Sequence, residues 1–225
     1  MKARLVADAK AHQAADRYVQ GAYLDTSEPE WKGCAVGCTT APLLAENLGV
    51  EVCELGVLSW HEQQERLTGI PAWLGHVEDA IFEGLPVKDA REWPVRFLSA
   101  LPVGVDLAPV RDAWLRDVVF DPTHGAMAHA AGAMEAAGLT EQAAKLSQSQ
   151  SRGSADAAAQ AARSAAMSAE DAAAADAAAD AWSAAWYAAG SAAMSAEDAA
   201  WDAVWDAAWQ WMADRLVARL DEVAR

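Results

Sequence analysis

Apolar positions along the 225-residue chain recur at spacings of three and four, and no run sustains the period-two alternation of a strand, so the pattern predicts an all-α protein. Leu5, Ala9, His12, Asp16 and Val19 follow helical spacing and predict a first helix over 3–22, ahead of the loop string DTSEPE. A second helix is expected over 37–47, with Gly49 just past its end. Ser59 and Glu62 have the spacing of a capping box and open a third helix that runs to Thr68, before Gly69. Pro71 then stands at the first turn of the string PAWLGHVEDAIFEGL, where its missing N–H is harmless, and Gly84 and Pro86 end that helix. Shorter helices are expected over 88–100, 107–120 and 125–137, punctuated by Pro102, Gly104, Pro122 and Gly138.

The pattern changes near residue 153, beyond which the chain is more than half alanine as far as Ala200. The polar string SQSQSRGS marks the change. The expected organisation is a compact multi-helix part over 1–146, a linker at 147–152 and an Ala-rich antiparallel helical bundle or hairpin over 153–225. The string SAAMSAEDAA occurs at 164–173 and again at 191–200. At about 100° per residue this 27-residue offset would put the copies on opposite faces of one straight helix, which favours a turn between them, with Gly190 as the break. Trp182 and Trp186, and then Trp201, Trp205 and Trp209, form rows at i, i+4. Such rows are expected to be core, with a stacking platform as the alternative. Asp176, Asp180, Asp202 and Asp206 repeat the same spacing as a solvated face. Met212, Leu216, Leu220 and Val223 continue an apolar stripe to the end of the chain, so the last helix must bury against something.

Composition narrows the partners. With 33 acidic residues against 17 basic ones the formal charge is −16, which opposes approach to a nucleic-acid polymer or an anionic membrane surface. No stretch reaches the roughly 18 apolar residues of a membrane span, because even the alanine-rich region is broken by Asp, Glu or Ser. The 11 tryptophans supply bulk that alanine lacks. The three cysteines, Cys34, Cys38 and Cys53, are an odd number, and the N-terminal string reads as an amphipathic helix without the apolar stretch of a signal peptide. Both point to a reducing cytoplasm.

Candidate chemistry gathers in the string WKGCAVGCTT, 31–40, where two glycines, a lysine and two cysteines crowd a helix start. Free N–H groups there, with Lys32 beside them, would suit a phosphate or carboxylate and would lower the pKa of Cys34 or Cys38. The alternative is that Gly33 and Gly37 permit close packing and the cysteines are small buried hydrophobes. Cys34 and Cys38, one helical turn apart, could bind a metal only if His61 and His76 came in from distant segments, and no metal or cofactor is assigned. Trp60, His61 and Glu62 open one helix; His76, Glu78, Asp79 and Glu83 lie on the next. No H-E-x-x-H string, phosphate loop or Ser-His-Asp order accompanies them.

Gln20-Gly21, KGCAVGCT over 32–39, GIPAWLGHVEDAIFEGLP over 69–86 and LPVGVDL over 101–107 together resemble a group of proteins from bacteriophages, prophages and bacteria that pair a compact helical part with an Ala-rich repeat tail containing Trp, Asp and Ser. The resemblance implies the helical architecture, a phage or mobile-element origin and weight on these strings; it carries no activity. The expected function is an accessory protein that sequesters a small nucleotide-like ligand, of a kind that can carry phosphate, to counter host defence signalling. Its contacts are expected from Arg17, Gln20, Lys32, Gly33, Cys34, Gly37, Cys38, Trp60 and His61. The alternatives are a small-molecule enzyme, with a Cys/His pair or with Glu78, Asp79 and Glu83 around a metal, and an interaction module whose tail forms a homo-oligomer.

Overall fold

The computed structural model describes residues 1–27, 30–56, 59–125, 128 and 198–225, with side chains in the last stretch from 205 onward. Among them it contains seven α-helices and no strand, so the chain is all-α. The helices are α1 (Lys2–Ala14), α2 (Ala35–Leu48), α3 (Trp60–Thr68), α4 (Ala72–Gly84), α5 (Val87–Ala100), α6 (Ala108–Phe120) and α7 (Asp198–Val223), with one 3-10 turn at Val52–Glu54. None is long and apolar enough to cross a membrane. All but residues 125 and 128 of the helix expected over 125–137, the first copy of the repeat, the second copy as far as residue 197, Gly190, Trp182, Trp186 and the 147–152 linker fall outside the described residues. The chain divides into two compact units, Met1–Val105 with Leu220–Arg225, and Asp106–Arg219.

Within the first unit α2 packs on α3 and α4, α4 also meets α3 and α5, and α1 lies on α5 and α2. The reason is legible in the stripes. Trp93, Phe97 and Leu98 of α5 are fully buried, as are Leu74, Ile81 and Phe82 of α4, and the Trp93 indole Nε1–H donates to the Glu78 carbonyl at 3.0 Å. Gly49 and Gly69 close α2 and α3 in the left-handed region, with φ of 69° and 78°, a conformation that costs glycine little.

Two expected details are corrected. The first helix ends at Ala14, not residue 22, because Asp16 turns left-handed at φ 52° and the chain leaves the helix to pair with the segment before α2. Val19 N–H donates to the Gly33 carbonyl, and Gly33 N–H to the Arg17 carbonyl, both at 3.0 Å. Those bonds replace the helical ones that 17–22 would have made. The capping box at α3 does not form: Ser59 makes no side-chain cap, and its ψ of 73° leaves the extended range from which a cap reaches back to the helix.

In the second unit Val110, Trp114 and Val118 of α6 are buried at i, i+4, i+8, and so are Ala208, Met212 and Leu216 of α7, continuing the stripe read from the sequence. Trp114 Nε1–H donates to the Met212 carbonyl at 3.1 Å. Asp117 accepts from Arg215 Nε at 2.6 Å and from Arg219 Nε at 2.7 Å. Trp205 and Trp209 meet edge to face at 5.8 Å, half-buried, while Asp206 stays exposed. Burial alone would raise the Asp117 pKa, but the hydrogen bonds from Arg219 and Arg215 outweigh it and hold the carboxyl below its ordinary range. Asp117→Ala therefore removes three charge-assisted bonds, one from Arg215 and two from Arg219, and leaves two guanidinium groups without the carboxylate they share. Urea unfolding at neutral pH is expected to show a loss of about 2–3 kcal/mol. Because the folded pKa is depressed, this contribution is present above the pKa of the unfolded chain and disappears as pH falls through the folded value, so the two proteins should converge in acid.

Candidate functional site

The segment between α1 and α2 carries the backbone of the site. Lys32 pairs with Asp25 through both backbone bonds, at 2.7 and 2.9 Å, and Cys34 N–H donates to the Ala22 carbonyl at 2.8 Å. These bonds bring Tyr23 across the start of α2. Its carbonyl sits so close to Gly33 and Gly37 that a Cβ at either would overlap it. The two glycines are thus required for a backbone approach, the packing alternative read from the sequence.

The structure corrects the expected phosphate cradle. The first turn of α2 is buried, the Cys34 sulfur takes the Gly37 N–H at 3.4 Å as the helix cap, and the Asp79 carboxylate already faces that end. The expected lowering of the thiol pKa values is also reversed. Burial, with the Asp79 charge adding to it, pushes Cys34 well up, and burial pushes Cys38 to about 12 despite the hydrogen bond at Gly33 and the charge of Arg17. Neither thiol is an activated nucleophile. Cys38 Sγ lies 3.4 Å from the Gly33 carbonyl and 3.7 Å from that of Arg17, away from any shared ligand with Cys34. Cys53 is exposed on the 3-10 turn.

The remaining expected residues divide into two sets. Arg17 donates to the Trp31 carbonyl at 2.9 Å and lies over its ring, and the Gln20 amide is spent on the carbonyls of Phe82, Glu83 and Leu85 at the end of α4, so both act in holding the segment down. Gly33, Cys34, Gly37, Trp60 and His61 do come together, around Tyr23. The Tyr23 ring stacks on Trp60 at 6.0 Å and meets the His61 edge at 5.6 Å. Beside these rings an open cleft of about 450 Å3 is lined by Ala22, Tyr23, Leu24, Thr26, Leu55, Gly56 and Trp60.

Behind Tyr23 lies a polar interior supplied by α3 and α4. His61 stacks on His76 with ring centroids 3.6 Å apart, and its Nε2 is 3.7 Å from Asp79 Oδ2. That separation is too long for a hydrogen bond, and neither His61 Nε2 nor Asp79 Oδ1 has another partner. Gln64 and Glu78 are fully buried, and the Gln64 amide donates to Glu78 Oε2 at 2.8 Å. Gly75 makes this possible, because a Cβ there would run into the Gln64 side chain. Burial raises the Glu78 pKa to about 8, with the Gln64 bond opposing and the Asp79 charge adding, so the carboxyl is protonated at neutral pH. Glu83, at the exposed end, accepts the Gly21 N–H at 2.8 Å.

Sequence reasoning named His61 and the three acids but not Tyr23 or Gln64. The available signal was polarity on a buried stripe: Glu78 lies four residues from both Leu74 and Phe82, and Gln64 shares the face of Trp60. Comparison with protein-family models, with curated proteins and with solved structures finds no match to this chain.

Proposed function

We propose that the protein is an enzyme acting on a small molecule by acid–base chemistry centred on His61 and Asp79, with the Tyr23–Trp60 cleft as the approach for substrate. The observation that carries this reading is the group of buried polar atoms on His61, Gln64, Glu78 and Asp79 that make no hydrogen bond. A fold rarely leaves such atoms unpaired without a use for them, and a group of them beside a cleft is the usual place to look for a reactive site. His61 with Asp79 would move the proton, the protonated Glu78 can donate a hydrogen bond, and Tyr23 and Trp60 would hold a flat or apolar part of the substrate. The buried, weakly acidic thiols weigh against a cysteine nucleophile.

Incubation of the full chain with p-nitrophenyl esters and phosphates, cyclic dinucleotides and ADP-ribose derivatives, followed by mass spectrometry, tests the reading. Product from at least one class is expected, and His61→Asn or Asp79→Asn should lower turnover about 100-fold or more while helical content is kept. A ligand that raises the melting temperature and is recovered intact would instead favour sequestration.

A further inference from the structure

Beside the His61–Asp79 pair the polar interior holds two further donors, Cys34 and Glu83, that the acid–base chemistry does not use. Cys34 Sγ, an Asp79 oxygen and a Glu83 oxygen all lie within 4.8 Å of one another. They come from the cap of α2 and from two positions one turn apart on α4, so the backbone fixes where all three begin. Beside them stands His61, whose side chain is 8% exposed and whose Nε2 points at Asp79 without a hydrogen-bond partner. Asp79 and Glu83 thus bring two carboxylates beside the Cys34 sulfur, and a cation between them would offset the repulsion of the carboxylates.

The geometry points to a divalent transition-metal site of the zinc class, with Cys34, Asp79 and Glu83 as ligands and His61 as the neighbouring imidazole that completes the shell or holds a metal-bound water. A sulfur among the donors argues against calcium and magnesium, which take oxygen alone, and for zinc or a metal of similar softness. Ligand atoms around a tetrahedral zinc stand on the order of 3.5 Å apart, so the observed spread needs a contraction of roughly 1 Å. Glu83 is exposed and can supply that movement by a change of rotamer. Three protein ligands with one position reachable from solvent is the pattern of a reactive zinc, not of a closed structural one. The start of α2 contributes as well, because its dipole favours the thiolate that binding creates.

The test is titration of the chelator-treated full chain with Co2+ and then Zn2+, followed by absorbance and by metal analysis after gel filtration. One ion per chain is expected, with a thiolate-to-cobalt charge-transfer band that zinc abolishes. Cys34→Ser should remove the band and Cys53→Ser should leave it unchanged. Glu83→Gln, at an exposed position that does not endanger the fold, should weaken binding at least tenfold. Absence of the band, its survival in Cys34→Ser, or unchanged affinity in Glu83→Gln would each overturn the site. The site shares His61 and Asp79 with the acid–base reading, but the two fail separately: turnover by the metal-free chain would leave that reading intact and refute only a catalytic role for the ion.

Discussion

Between about pH 4.5 and about pH 8 the wild-type chain should lose stability steadily while Glu78→Gln does not, and the difference should reach on the order of 5 kcal/mol at the alkaline end. Glu78 is fully buried, and desolvation dominates its shift. Across this window the folded protein holds the proton and the unfolded chain has released it, so each pH unit costs about 1.4 kcal/mol from this group alone. The contribution is complete below the unfolded pKa and is lost as pH rises through the folded one. Gln has the same shape, keeps an oxygen to accept from the Gln64 amide and cannot ionise. Urea melts at several pH values, in the presence of chelator, measure the effect. Equal slopes for the two proteins would show that Glu78 is not held neutral.

The second large effect is expected from one methyl group. Gly37→Ala places a carbon where the Tyr23 carbonyl already is, and that obstacle is backbone, held by the Cys34 and Lys32 bonds on either side, so it cannot rotate away. Overpacking against fixed backbone should cost about 3–5 kcal/mol. The damage should be local before it is global. The Tyr23 segment would lift from α2, the stacking on Trp60 would be lost, and near-ultraviolet circular dichroism would fall while far-ultraviolet helicity persists. Ala22→Gly, which relieves nothing at this position, serves as the control. A Gly37→Ala protein that melts like wild type would mean the Tyr23 carbonyl lies elsewhere.

How far the sequence can be read depends on which forces are local. The ends of α2 and α3 were legible because Gly49 and Gly69 adopt positive φ for reasons contained in the residue itself. The end of α1 was not. Nothing between Asp16 and Gly21 forbids a helix, and only pairing with Gly33, a partner 14 residues beyond Val19, takes the segment out of it. The string around Cys34 misled for a related reason. Glycines beside a helix start suit a phosphate and suit a carbonyl equally well, and the chain supplies the carbonyl from Tyr23. At the site, His61, Glu78, Asp79 and Glu83 were identifiable as residue types, but the approach of Asp79 and Glu83 to Cys34, with His61 beside Asp79, comes from the packing of α2 on α3 and α4, which no spacing within one helix reveals.

The glycine-lined approach of the Tyr23 carbonyl also defines a query. Because backbone clearance, and not side-chain chemistry, demands Gly33 and Gly37, while Gly75 leaves room for the side-chain oxygen of Gln64, the packing around the site can be written as a pattern with fixed letters: G-C-x2-G-C, then W-H-x2-Q, then G-H-x-E-D-x3-E. Substitution at a lettered glycine closes the space even if every reactive residue is retained. A chain that keeps all three glycines but replaces Cys34 or Glu83 would preserve the cavity and change what it holds. Sorting sequences by those two classes of position would separate inheritance of the scaffold from inheritance of its chemistry.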